Sequence, residues 1–196
     1  MRLIVGLGNP GREYARNRHN VGFRVIDELG QRAELGWSRK FDAEIGQGVL
    51  DGEKVCLLKP LTFMNRSGQA VAAAARFFKV VPEALVVVHD DLDLELGRLQ
   101  VKRGGGHAGH NGLRSIAGLL GSADFGRIRI GIGRPPAGQP AADYVLSNFA
   151  RDEEEALLEI VPRAAQAAQA AALRGVTQAM NAFNGRGPGA KLGGDL

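Results

Sequence analysis

The run Ala84-Leu85-Val86-Val87-Val88 places apolar side chains on both faces of a strand. Such a strand needs cover above and below, so it belongs inside a sheet with a helical layer on each side. The chain supplies material for both layers. Leu3 to Leu7 is a second apolar run of strand type. After it, Val21, Val25, Ile26, Leu29 and Ala33 fall at helical spacing, which predicts an amphipathic helix from about Asn20 to Ala33. Ser67 to Phe78 reads the same way, with Ala70, Val71, Ala74, Phe77 and Phe78 on its apolar side, and Asn111 to Leu120 gives a third helix.

Residues 34–42 read as loop. Ala43 to Leu50 and Lys54 to Lys59 flank Asp51-Gly52, a strong type I′ turn signal, so they predict a β-hairpin closed by Pro60. Leu99 to Lys102 and the alternating run Arg127 to Ile132 are further strands, and residues 134–142 carry three prolines and read as loop. Asp152, followed by three glutamates, predicts a capped helix start. That helix should run to about Leu173 with a bend at Pro162, and Val176 to Phe183 adds a last helical segment. The expected fold class is therefore α/β: a single-domain three-layer α/β/α arrangement with a mixed, mostly parallel central sheet over residues 1–184. Residues 185–196 read as a flexible Gly-rich tail.

At 196 residues the chain is long enough to bury a core as one domain. One cysteine, Cys56, leaves no internal disulfide and points to a reducing compartment; its strand-like setting makes it a buried filler. No stretch approaches the ~20 apolar residues of a membrane span, and the N-terminal apolar run is too short for a secretory leader. The expectation is a cytoplasmic protein with no membrane contact. The net charge is only +4, but it is segregated: from Arg98 to Arg134 every charged residue except Asp124 is basic, while acids collect at Asp152 to Glu155. A local cationic zone points to a polyanion such as a phosphate backbone.

Several polar groups stand where chemistry is usually placed. The strand at Leu3 to Val5 ends in a loop holding Gly6, Gly8, Asn9, Pro10 and Gly11. The three glycines match the dinucleotide fingerprint, but Pro10 and the polar run Arg12 to Arg18 follow where a helix should begin, and no strand ends in an acid about 20 residues on. Gly6 and Gly11 then read as turn formers. His19 stands at a helix start with Asn20 as candidate N-cap, where a positive helix end disfavours protonation and leaves a base. His89-Asp90-Asp91-Leu92-Asp93 follows the central strand, so its carboxylates share an edge with Asn9 if the two strands are parallel. An acid beside a histidine holds one tautomer and stabilises the imidazolium. The segment G-G-G-H-A-G-H-N-G opens a helix whose cap would be Asn111. Metal-ligand spacings and a nucleophile-elbow serine are lacking, so no metal or cofactor is expected, and if the chain is a hydrolase its nucleophile is water with a histidine as base.

Six segments together carry a resemblance: V-G-L-G-N-P-G, Y-A-R-N-R-H-N-V-G, P-L-T-F-M-N-R-S-G, H-D-D-L-D-L, G-G-G-H-A-G-H-N-G-L-R and R-I-R-I-G-I-G-R-P. In this order and spacing they resemble the bacterial peptidyl-tRNA hydrolase family over nearly the whole chain. The resemblance implies a cytoplasmic esterase that cuts the bond between a peptide and the 3′ ribose oxygen of tRNA, with the acceptor end and phosphate backbone of peptidyl-tRNA as its partner and a monomer as its state. It implies His19 as general base and Asp90 as the residue that orients it. Asn9, Asn65 and Asn111 would hold the peptide and the reacting carbonyl, Met64 would pack in the cleft, Tyr14 would lie beside it, and His110 would take part. Lys102 and Arg129 would meet tRNA phosphates. Asp91 stands where many members carry Glu. Three rival classes share parts of the pattern: a nicotinamide-dependent oxidoreductase, a non-catalytic RNA-binding protein and a metal-dependent hydrolase.

Overall fold

The structure is a computed structural model that describes residues 1–185. Beyond Gly185, the expectation of a flexible tail falls outside the described residues. In chain order the elements are β1 (Arg2–Gly6), α1 (Val21–Arg32), β2 (Trp37–Lys40), β3 (Ala43–Leu50), β4 (Glu53–Pro60), α2 (Ser67–Phe78), β5 (Leu85–Asp91), β6 (Leu99–Arg103), α3 (Asn111–Leu120), β7 (Gly126–Gly131), α4 (Ala141–Val145), α5 (Arg151–Arg174) and α6 (Val176–Phe183). The described strands form one sheet in the order β2-β3-β4-β1-β5-β7-β6. Its centre, β4, β1, β5 and β7, is parallel, and β2 and β3 at one side and β6 at the other join antiparallel. The sheet is mixed, as expected.

The double-sided burial demanded by the apolar runs is met residue by residue. Ile4, Leu57, Val86 and Val88 point into a core shared with α1, α5 and α6. Their strand neighbours Leu3, Val5, Cys56, Leu58, Leu85 and Val87 point into a second core under α2 and α3. Each strand thus feeds both layers through its period of two. Cys56 is buried, and burial pushes its thiol up to about 12, so it is an inert filler.

Four local expectations are corrected. Trp37–Lys40 is an edge strand paired with β3, although residues 34–42 read as loop; its four residues are all exposed, so no core-facing alternation marks it. Gly6 ends β1 and turns nothing. A Cβ there would lie 2.2 Å from the carbonyl oxygen of Gly22, so this glycine lets α1 lie against the sheet. Asp152 does not cap α5. Ala150 is the cap residue, and the carboxylate of Glu153 accepts its backbone N–H at 2.7 Å. Asn20 precedes α1 but makes no capping bond, because its amide is used elsewhere. Helix α5 continues through Pro162 without interruption.

Candidate active site

The site forms where β1 and β5 part. They pair in parallel up to Gly6 and Val88, and the N–H of Leu7 still donates to the Val88 carbonyl at 2.9 Å. Beyond that rung β1 turns into the loop of residues 7–11, while β5 runs on to Asp91 beside β7. Asp90 and Asp91 are therefore the last residues of a central strand, and both are buried. The close approach of Gly6 to Gly22 brings the short turn Arg18–Asn20 over this gap.

His19 and Asp90 meet there. Nδ1 of His19 lies 2.8 and 2.9 Å from the two carboxylate oxygens, with both residues buried. Nε2 of His110 lies 3.1 Å from the same carboxylate. The tautomers follow from the partners. Nδ1 of His110 accepts the backbone N–H groups of Gly112 and Leu113 at 3.2 and 3.4 Å, so its proton sits on Nε2 and is donated to Asp90. His110, not Asn111, is the cap of α3. Because Nδ1 of His19 donates to Asp90, its Nε2 keeps the lone pair. Burial works against a charge on His19, but the charge and hydrogen bond of Asp90 outweigh it and raise the imidazole above its usual 6.5. This corrects the expectation of a histidine held neutral by a helix end. Burial likewise opposes the charge of Asp90, and the two imidazoles overcome it and hold the carboxyl well below the carboxylate range.

His89 adds a third ring. It is buried, its Nδ1–H donates to the carbonyl of Asp90 at 2.7 Å, and its Nε2 has no partner. Such an orphaned acceptor costs about 1–3 kcal/mol. Burial and the neighbouring His110 push its pKa down to about 3.

A second set of contacts fixes Asn9. The Asn20 side chain accepts the N–H of Asn9 at 3.0 Å and donates to its carbonyl at 2.9 Å. Oδ1 of Asn9 then accepts the N–H of Met64 at 2.7 Å, which leaves Nδ2 uncommitted. Met64 is buried with its sulfur against Gly112. Asn65 and Asn111 are exposed, and Asn111 accepts from Arg114 at 2.7 Å. Tyr14 is half-buried and packs edge-on to Phe63, with ring centroids 6.4 Å apart.

The imidazole pair opens on a cleft of about 570 Å³ bordered by His19, Asp90, His110, Asn111, Lys102 and Arg129. Asn9 borders a separate depression of about 480 Å³ with Arg12, Phe23, Arg39 and Leu61. Tyr14, Met64 and Asn65 border neither.

The cations of the Gly-rich segment divide by task. Arg127 is buried and donates to the carbonyls of Gly105 and Gly106 at 2.6 Å each, so it secures the loop. Arg129 donates to Asp91 at 2.7 Å and also bonds Gln100. Arg134 pairs with Asp93 and Arg103 with Asp124. Lys102 is exposed and has no ion-pair partner among the described residues. Sequence reasoning missed Arg127, Asn20 as a clamp, and Arg18, whose guanidinium meets Ser147, Asn148 and Glu153 and lies 4.3 Å from the Tyr144 ring centroid. Only the polar positions of R-I-R-I hinted at the first; nothing local marked the others.

The donor set does not favour the rival readings. His19, Asp90 and His110 present ligand atoms within 4.8 Å of one another, as a cation would need, but those atoms face each other through hydrogen bonds. Gly6 and Gly8 pack against Gly22 and Phe23 and not around an open phosphate cradle.

A family model described as peptidyl-tRNA hydrolase matches residues 3–191. A peptidyl-tRNA hydrolase of Anaeromyxobacter dehalogenans (strain 2CP-C) is 51% identical over 95% of this chain and 97% of its own length. One from Chloroflexus aggregans is 48% identical over 94% and 99%. A crystal structure of peptidyl-tRNA hydrolase from Acinetobacter baumannii superposes with a TM-score of 0.89 at 39% identity, covering 94% of this chain and 95% of that one. A 5′-methylthioadenosine nucleosidase of Arabidopsis thaliana, at 9% identity and a TM-score of 0.50, shares the fold alone.

Proposed function

Since the chain belongs to the peptidyl-tRNA hydrolase family, we propose that His19 is the general base of that reaction and Asp90 the group that steers it. The reaction is hydrolysis of the ester between a peptidyl group and the 3′ ribose of tRNA, and the enzyme is a carboxylic ester hydrolase. One observation carries the residue roles: a buried imidazole donates Nδ1–H to a buried carboxylate and keeps its Nε2 lone pair beside an open cleft.

In this reading Nε2 of His19 takes a proton from water as the oxygen attacks the ester carbonyl. Asp90 stabilises the imidazolium so formed without taking the proton. Negative charge grows on the carbonyl oxygen, and uncommitted amide donors meet it. Nδ2 of Asn9 is the best prepared, because Asn20 and Met64 hold the rest of that residue. Collapse of the intermediate breaks the bond to the ribose oxygen, which leaves with the proton from His19. An ester leaves more readily than an amide, so one base and fixed amide donors suffice. Asn111 at the cleft and the exposed Asn65 hold the peptide, the buried Met64 packs beneath against Gly112, Tyr14 takes the outer edge of the peptide, and His110 braces the carboxylate.

Lys102 and Arg129 take phosphates of the acceptor end. They border the same cleft as His19, which supports this placement. Residues 1–184 act as one catalytic domain. A monomer is the state that the family resemblance implies. No helix of the described residues is long and apolar enough to cross a membrane, and the substrate and the lone cysteine favour the cytoplasm.

The test is incubation with N-blocked aminoacyl-tRNA beside free aminoacyl-tRNA, each with and without chelator. Release of the blocked residue, slow turnover of the free one and indifference to chelator are expected. Loss of turnover in chelator, with the tRNA fold intact, would turn the reading toward a metal hydrolase.

A further inference from the structure

The gap that houses the site is a hydrogen-bond rung left unmade. In the parallel ladder the N–H of Leu7 meets the carbonyl of Val88. Two residues further, the same pattern would join the N–H of Asn9 to the carbonyl of Asp90. Neither group finds the other. The Asn9 N–H goes to the Asn20 side chain, and the Asp90 carbonyl accepts Nδ1–H from His89. Each half of the broken rung is satisfied by a side chain, as buried backbone groups require. The carbonyl of Asp91, one residue on, faces the other way and takes the N–H of Ile132.

We propose that His89 is a positioning residue: its imidazole replaces the donor that β1 withdraws, fixing the Asp90 peptide and so the aim of its carboxylate at His19. The proposal rests on the roles given above to His19 and Asp90. It explains why a buried ring tolerates an orphaned Nε2. The donor position is spent on Asp90, so the lone pair must face the protein interior, where the ring of His110 lies edge-on at 5.0 Å. It also explains why a histidine sits here and not a lysine or arginine. A permanent cation against Asp90 would compete with the imidazolium of His19 for the same charge. The charged and titratable groups around His89 are His110, the cap residue of α3, Asp90 and Asp91 from β5, and Arg129 across the ladder on β7, itself bound to Asp91.

Two variants and one measurement on the unaltered protein test this. His89→Leu removes the donor, and His89→Asn keeps an amide N–H where Nδ1 stood. For His89→Leu, kcat should fall about 10- to 100-fold, as for a small misplacement of a reacting group. The loss should be equal on peptidyl-tRNA and on a small N-blocked ester, with KM for the tRNA unchanged. The acid limb of the pH profile should also move to lower pH, because His19 loses part of its hold on Asp90. His89→Asn should restore both kcat and the limb. A folded His89→Leu enzyme with wild-type kcat and an unmoved limb, or a His89→Asn enzyme no better than it, overturns the proposal. If His89→Leu does not fold, long-range proton–nitrogen spectra of the 15N-labelled wild-type enzyme decide. The His89 ring should stay neutral with its proton on Nδ1 from about pH 5.5 to 9, and a proton on Nε2 overturns the proposal. That result concerns His89 alone, whereas failure of the base assignment would show in His19→Ala.

Discussion

At the closed end of the cleft the charged and ring groups are committed to one another: His19 and His110 to one carboxylate, and His89 to the peptide behind it. At its mouth the cations differ. Arg127 is consumed by loop carbonyls, Arg129 and Arg134 by neighbouring aspartates, and Lys102 by none among the described residues. The first region is built to hold one proton donor and one lone pair in fixed places. The second keeps some charge in reserve for a partner that arrives from outside. A count of basic residues between Arg98 and Arg134 therefore overstates the charge available to phosphate. Burial and pairing set the arginines tied up within the protein apart from Lys102, which stays exposed and unpaired among the described residues.

If this division is right, the largest effect comes from the closed end. His19→Ala should lower kcat by about 10²–10⁴-fold on both peptidyl-tRNA and a small blocked ester, with the fold intact by circular dichroism. Near-full turnover on either substrate would remove the base assignment. Arg127→Gln should come next, since it strips two bonds from the Gly105 and Gly106 carbonyls and leaves a buried polar group short of partners. A drop in melting temperature is expected, together with a rise in KM for tRNA; an unchanged thermal profile would mean the loop holds its shape without it. Lys102→Ala and Arg129→Ala should act more gently and on one substrate only. Weaker, less salt-dependent tRNA binding with small-ester cleavage retained is the expected pattern. Equal losses on both substrates would erase the distinction between the two regions. Arg134→Ala should do least, because its ion pair with Asp93 is exposed and such pairs contribute little. A large loss of tRNA binding there would move the phosphate contact outward.

Much of this frame was legible where local chemistry leaves few choices. Asp51 and Gly52 both adopt positive φ, as a type I′ turn needs, and Ser67–Phe78 begins and ends where its apolar pattern does. The strand order puts the Asp90 carboxylate on the edge of Asn9 provided β1 and β5 are parallel, which they are, while its pairing with His19 comes from the family resemblance. The misses have a common cause. Asparagine suits caps, so the sequence points to Asn20 and Asn111 as caps, yet tertiary partners claim one amide and His110 displaces the other. The edge strand Trp37–Lys40 is held by its ladder to β3, which no periodicity within four exposed residues records. The His19 pKa was expected to be governed by a helix end, but a carboxylate 71 positions away decides it. The role of His89 depends on a strand that stops short, and that is visible only once both strands are in place.

The central claim is that Asp90 sets the working state of His19, and the pH dependence of kcat/KM for the wild-type enzyme and Asp90→Asn tests it most directly. The free enzyme needs His19 neutral, so activity falls as pH drops through the imidazole pKa. In the wild type that acid limb should lie above pH 6.5, because Asp90 raises the group. In Asp90→Asn the charge is gone and burial alone remains, so the limb should move below pH 6.5 while the plateau falls. An acid limb that stays in place when Asp90 is neutralised, with the plateau near the wild-type level, would contradict the account.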